Sequence, residues 1–319
     1  MKKILFIIPY FGKLNNYFQL FLDSCKNNEN YNWLIITNDR TKFSFPKNVE
    51  VIYDEFNNFQ KKVQQKFDKI KISLESPYKL CDFKPTYGYV FEEYIKDYQY
   101  WGYCDIDLIF GSIDNCLKLD KLTQYDKIGI LGHFTIFKNT KELRELFLKD
   151  ERYKEVLSSP KSLKFDEEFG EDFGISINNI FEKYNKKILT LNNFADIYVK
   201  SSNFKLTNYD MKFKKYSIEK YNRNVFVYSD GILKRYITEN NKLIIKEYMY
   251  IHLQKRKMNV KINKSNYYKI IPNSFEYFND NIKDAQDLKK IKIKNFNLHY
   301  FKIRFKNLKN KIIKRIGGK

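Results

Sequence analysis

No run in this sequence comes near the roughly 18 consecutive apolar residues that a membrane-spanning helix requires. Met1-Lys2-Lys3 leads into an apolar stretch, Ile4 to Ile8, that is too short for a secretory leader and has no small-residue cleavage site. Cysteine is scarce. Cys25, Cys81, Cys104 and Cys116 form no C-x-x-C pair and no repeated spacing, and only His133, His252 and His299 are there to join them at zinc. Neither a disulfide framework nor a zinc module is expected, and the chain reads as a protein of a reducing cytosol. A Gly-rich phosphate loop, a G-x-S-x-G elbow and a Cys/His nucleophile arrangement are all missing. Acidic residues are absent after Asp287, where Lys289, Lys290, Lys292, Lys294, Lys302, Arg304, Lys306, Lys309, Lys311, Lys314, Arg315 and Lys319 follow.

What is present is size, aromatic mass and positive charge. The chain has 319 residues, 18% of them aromatic, which is ample for a core built on aromatic packing. Its formal charge of +21 comes from 59 Lys+Arg against 38 Asp+Glu, and the acid-free C-terminal segment carries over half of it. A localised anionic partner is expected rather than a uniformly basic surface. Leu298, Phe301, Phe305, Leu308, Ile312 and Ile316 form one apolar stripe at helical spacing, with Lys and Arg between them. That pattern fits a helix lying on anionic lipid, or a terminal helix packed on the domain with a solvated basic face.

Over the first 110 residues strands and helices alternate. Ile4 to Ile8, Trp33 to Thr37 and Val49 to Tyr53 read as strands, Asn15 to Cys25 and Phe56 to Ile70 as helices, and Pro85 to Tyr98 as a helix opened by proline. The alternation predicts an α/β chain with a doubly wound, mostly parallel sheet. Further on, Lys127 to Lys138 is expected as one or two strands, with helices over Thr140 to Leu148 and Ile175 to Tyr184. Val225 to Ile237 reads as a hairpin turning on Asp230-Gly231, and Lys242 to Leu253 as one strand.

The chemistry concentrates in a few places. Tyr100 to Gly111 is an apolar, aromatic run interrupted by Asp105 and Asp107. If the run is a buried strand, its end delivers two carboxylates to the crevice where α/β sheets bind ligands. Two hard oxygen donors suit Mg²⁺ or Mn²⁺ carrying a nucleotide's phosphates; the alternative is a pair of Asp residues ending a strand. His252, followed by Lys255, Arg256 and Lys257, can add an imidazole ligand and cations for phosphate oxygens, or can be a core histidine before a solvated turn. Asp82 can cap a helix, and Lys84 can face a phosphate. His133 lies among small and apolar residues, which suits a sugar or acceptor pocket. Asp166, Glu167, Glu168 and Asp172 form an acidic cluster that can hold sugar hydroxyls, supply a general base, or open a helix.

These residues resemble a bacterial glycosyltransferase of the GT-A fold, of the kind encoded with capsular and surface-polysaccharide synthesis. The likeness runs through Ile7 to Gly12, Pro77 to Gly111, Leu131 to Asn139, the Asp166 segment and Tyr250 to Met258. It implies a catalytic domain over 1–260, with a nucleotide-binding half of about 1–115 and an acceptor half of about 116–260. A basic extension with an amphipathic helix would fill 261–319. In that family Pro9, Tyr10, Phe11, Asn38 and Asp39 would surround the base and ribose. Asp105 and Asp107 would be the DxD metal ligands with His252 the third, and Lys255 and Lys257 would touch the diphosphate. Asp82 and Lys84 resemble donor-contacting residues of retaining relatives, although Trp101-Gly102 replaces the usual Gly-Gly. The implied reaction moves a galactose- or glucose-type hexose from a UDP-sugar to a polyprenyl-diphosphate-linked saccharide. Mn²⁺ or Mg²⁺ would assist, at the inner face of the cell membrane and with no nucleic acid partner. The rival expectation is a non-catalytic binder of anionic surfaces, lipid or nucleic acid, that uses the basic C-terminus.

Overall fold

The computed structural model describes residues 2–167, 175–263, 266–295 and 298–316. The chain is mixed α/β and divides into two compact units, each assembled from three separate segments. The first comprises Met1–Leu14, Asn28–Ile106 and Leu117–Asn192; the second comprises Asn15–Asn27, Asp107–Cys116 and Asn193–Lys319.

A seven-stranded sheet organises the first unit. Strands Val49–Tyr53, Tyr31–Thr37, Lys2–Tyr10 and Tyr98–Cys104 lie side by side and parallel, followed by Phe134–Lys138, Lys127–Ile128 and Ile188–Leu189. Phe134–Lys138 runs antiparallel to Tyr98–Cys104, so the sheet is mixed. Lys2–Tyr10 and Tyr31–Thr37 carry nearly continuous runs of Ile, Leu, Phe and Trp, and Tyr98–Cys104 buries Trp101 and Tyr103, because both faces are covered. Strand order reverses between Lys2–Tyr10 and Tyr98–Cys104, which is the switch point where such sheets open a ligand crevice. Trp101 stacks on Phe137 with ring centroids 4.5 Å apart, a geometry that adds about 1 kcal/mol beyond area burial. A Cβ on Gly88 would meet the Trp101 ring at 2.3 Å, so only glycine fits beneath it.

The expected helix over Pro85 to Tyr98 is instead a series of single turns, Lys84–Thr86, Tyr87–Val90 and Glu92–Ile95. Thr86, Tyr87, Gly88, Val90 and Phe91 are all buried. Consecutive buried positions cannot share one helical face, so the chain turns repeatedly to bury them.

The second unit contains a five-stranded and a six-stranded sheet. The expected hairpin is present as Asn224–Ser229 paired with Ile232–Glu239. Asp230 (φ 45°) and Gly231 (φ 85°) supply the two left-handed residues that a tight turn of this kind needs. The single strand expected over Lys242 to Leu253 is two. Lys242–Tyr248 joins the six-stranded sheet and Tyr250–His252 the five-stranded one, with Met249 between them accepting from the Gly111 N–H at 2.8 Å. Tyr250–His252 pairs antiparallel with Leu108–Phe110, which anchors the segment following Asp107. Helix Phe18–Lys26 packs here too: Phe21 lies against Phe110, and the Phe110 N–H donates to Ser24 Oγ at 3.1 Å. Residues Tyr267–Ile271 and Ser274–Tyr277, expected within a C-terminal extension, are strands of the six-stranded sheet.

Helix Leu298–Ile316 is present as expected. Leu298, Phe301, Phe305, Leu308 and Ile312 are all exposed, from 48% to 74%, so the apolar stripe is not packed into a core. Among the described residues no helix is long and apolar enough to cross a membrane.

Candidate functional site

In the first unit the structure gathers three residues that lie far apart in sequence. Lys84 Nζ donates to Asp105 Oδ1 at 2.8 Å and to the Gly132 carbonyl at 2.8 Å, and pairs with Asp166 Oδ2 at 3.1 Å. Burial alone would pull the Lys84 ammonium down, but Asp105 and Asp166 push it well above its ordinary value, so it stays charged. Asp166 is only 2% exposed and its Oδ1 has no hydrogen-bond partner. Burial raises its carboxyl to about 7 despite the opposing pull of Lys84. The close approach depends on Gly132, where a Cβ would come within 2.5 Å of Asp166 Oδ2. His133 is buried beside it, and its carbonyl accepts the Asp105 N–H at 3.0 Å.

Other residues of the sequence reading are placed differently. Asp82 is fully buried. Its oxygens accept from Lys79 Nζ (2.7 Å), Leu163 N (2.9 Å) and Phe165 N (3.0 Å), so it fastens the loop leading to Asp166 and faces no crevice. Glu167 is more open than Asp166 and pairs with Lys164 at 3.4 Å. Asp172 and Glu168 lie outside the described residues. At the ends of the first two strands, Asn38 Oδ1 accepts the Gly12 N–H at 2.8 Å and Asp39 Oδ2 accepts the Leu14 N–H at 2.8 Å. These two side chains therefore shape the loop after Pro9 and Tyr10. Phe11 points into the core against Phe56 and Phe59, which removes it from any stacking role on a base.

The second unit holds the other acidic residue of the Asp-Ile-Asp sequence. Asp107 Oδ1 lies 3.4 Å from His252 Nε2, and His252 Nδ1 lies 2.9 Å from Asp196 Oδ1. All three side chains are buried. Burial opposes both charges of the Asp107–His252 pair. The carboxylates nevertheless raise the imidazole to about 10, and His252 holds Asp107 down to about 2. Gln254 Nε2 also donates to Asp196. The main chain then takes two successive left-handed conformations, Gln254 and Lys255 both at φ 54°, which bring the Lys255 N–H onto Asp107 Oδ2. Non-glycine residues in that region cost about 1 kcal/mol each and recur where function fixes the backbone. The side chains of Lys255 and Lys257 are exposed, while Arg256 between them is buried.

Asp196 was not legible in the sequence. It stands 56 residues before His252, in the strand Ala195–Ile197, and only the parallel pairing of that strand with Tyr250–His252 brings the two together. A carboxylate on Nδ1 fixes the tautomer that leaves Nε2 available as a ligand, the usual outer support of a metal-binding histidine. Asp107 and His252 thus form a donor set that suits a divalent cation.

Residues 6–279 match a family of unknown function (DUF6625). No curated protein and no solved structure matches the chain.

Proposed function

The chain belongs to that family, DUF6625, and we propose that it is a metal-dependent glycosyltransferase of GT-A type. It transfers a hexose of the galactose or glucose class from a UDP-sugar to a lipid-linked saccharide. The observation that carries this reading is the buried Asp107–His252 pair with Asp196 behind the imidazole. Asp107 and His252 are the ligands of Mn²⁺ or Mg²⁺. When bound, the cation supplies positive charge to the departing diphosphate.

The chain's own residues do the rest. Asp196, which also accepts from Gln254, fixes the imidazole, and the Nε2 position that faces Asp107 gives up its proton on loading. The left-handed Gln254-Lys255 pair holds Asp107 and leaves the Lys255 and Lys257 side chains exposed, cations of the kind that phosphate oxygens bind. Lys84 orients Asp105, and Asp166 keeps Lys84 in place from behind. Asp166 is accordingly a positioning residue rather than the base. The parallel strands and the reversal of strand order beside Tyr98–Cys104 support a nucleotide crevice in the first unit. The exposed stripe of the C-terminal helix supports work at a lipid surface.

Thermal unfolding with UDP, with and without Mn²⁺, tests the reading. A ligand at a hundred times its dissociation constant adds about 2.7 kcal/mol. Stabilisation by UDP that needs Mn²⁺ and is lost in Asp107→Ala is expected. Silence towards every nucleotide with metal present would favour a binder of anionic surfaces or a transferase that uses a lipid-phosphate donor.

A further inference from the structure

The second unit contains a cavity that the proposed reaction does not use. It measures about 280 Å³ and is lined by Lys200, Lys205, Lys294 and Arg304, with Ser201, Ser202, Asn203, Pro272, Asn273 and Asn295 between them. Four cationic side chains meet there, and no carboxylate is among the lining residues. The remaining lining is rich in hydroxyls and amides, which can donate hydrogen bonds in several directions.

Two buried groups show unmet capacity at this place. Asn273, 1% exposed and at φ 68°, leaves its side-chain oxygen without a partner, while its amide nitrogen makes only a 3.4 Å contact with the Asn295 carbonyl. Turned over, the same amide presents its NH₂ instead. Behind Ser201 lies Arg256, 5% exposed. It donates through Nη2 to the Ser201 carbonyl at 2.8 Å and has no partner for Nη1. A buried guanidinium with a free N–H adds positive potential to a wall already made of cations.

Arg304 identifies the source of the anion. It belongs to helix Leu298–Ile316, whose Leu298, Phe301, Phe305 and Leu308 are exposed apolar side chains on either side of it in sequence. A ligand with a phosphate at one end and acyl chains at the other matches both features. We propose that this cavity is a phosphate-binding site for the headgroup of an anionic lipid, with the adjoining helix lying in the bilayer interface. The inference deepens the membrane element of the proposed function and does not depend on the metal pair.

The test is flotation of the full chain with phosphatidylcholine vesicles, either plain or doped with phosphatidic acid or with phosphatidylserine at matched surface charge. Lys205→Gln/Lys294→Gln/Arg304→Gln removes three cavity charges. Lys302→Gln/Lys306→Gln/Lys309→Gln removes three from the helix outside the cavity. The cavity variant should lose at least about tenfold in affinity for phosphatidic acid vesicles. The helix variant should lose less, and preference for the phosphomonoester over matched charge should disappear only with the cavity. Equal losses in both variants would overturn the site in favour of diffuse surface charge. Glycerol 3-phosphate is the soluble arm. If it stabilises the wild-type protein and vesicles do not bind, the lipid assignment falls and a soluble phosphate ester replaces it. Stabilisation by UDP with Mn²⁺, measured on the same cavity variant, is expected unchanged, so failure here and failure of the transferase reading are distinguishable.

Discussion

Two lysine–aspartate arrangements five residues apart in the first unit use the same chemical groups to different ends. Lys79 spends all three donors on Asp82, the Val156 carbonyl and the Lys161 carbonyl, and Asp82 accepts from two further backbone N–H groups. Lys84 likewise finds three acceptors, but Asp166 has one oxygen without a hydrogen-bond partner, and Asp105 remains 30% exposed. Burial does not separate the two cases, since Asp82 and Asp166 are 0% and 2% exposed. Satisfaction does. A buried pair with every lone pair and proton engaged is structural; one with an open oxygen and an exposed partner carboxylate retains capacity for something else.

The largest expected effect breaks the satisfied pair. Asp82→Ala should destabilise the first unit by about 3–5 kcal/mol, because the Lys79 ammonium stays buried without its carboxylate; chemical denaturation measures it, and a change under about 1 kcal/mol would end the structural assignment. Lys84→Met should cost less, about 2 kcal/mol, since Asp105 has solvent and Asp166 can take up a proton. Its cost should grow with pH, as the unpaired Asp166 must then give that proton up.

Asp166→Asn should act in the opposite direction. The folded carboxyl sits near 7, above its unfolded value, so whatever stability the protonated group allows is complete in acid and is lost as pH rises through 7. The Asn variant should unfold at a higher temperature than wild type at pH 8, by about 1 kcal/mol, and show no gain at pH 4, while binding UDP with Mn²⁺ less well. The smallest effect concerns Asp150, paired with Arg152 at 2.8 Å and Lys183 at 3.0 Å. Hydrogen bonds from Arg152, outweighing burial, hold its carboxyl well below the ordinary range. Its contribution is therefore present above the unfolded value and fades as pH falls below it. Asp150→Asn should melt below wild type near neutrality and converge with it in acid, so its stability changes less with pH through that range.

The sequence made some of this legible and hid the rest for identifiable reasons. Strands at the start, the Asp230-Gly231 hairpin and the C-terminal helix follow from local periodicity and turn chemistry, and all are present. Asp105 was visible as a carboxylate interrupting an apolar run, Lys84 as a cation at a helix start and Asp166 as part of an acidic cluster, but their meeting at one ammonium is a tertiary fact. Asp82 looked equivalent to Lys84 in the sequence because nothing local distinguishes a loop fastener from a site residue. Asp196 had no signal at all, since its partner arrives through a strand pairing. Phe11, which the resemblance put beside the base and ribose, is core, because Phe56 and Phe59 are there to receive it. Pro85 to Tyr98 kept its apolar residues and lost its helix when burial was required on every side.

The segmented construction of the second unit has a consequence for how the chain is born. Leu108–Phe110 has its strand partner in Tyr250–His252, and Asp107 its imidazole in His252, 145 residues later. At ordinary synthesis speed that partner leaves the ribosome on the order of ten seconds after the carboxylate. Until then Phe18, Phe21 and Phe110 wait without the sheet that buries them, a long exposure for aromatic surface. Pairing over such a distance in sequence also makes folding slow. No single cut in the chain releases either unit whole, so a fragment ending near residue 192 should collect in inclusion bodies, and a nascent chain should be a strong client for chaperones.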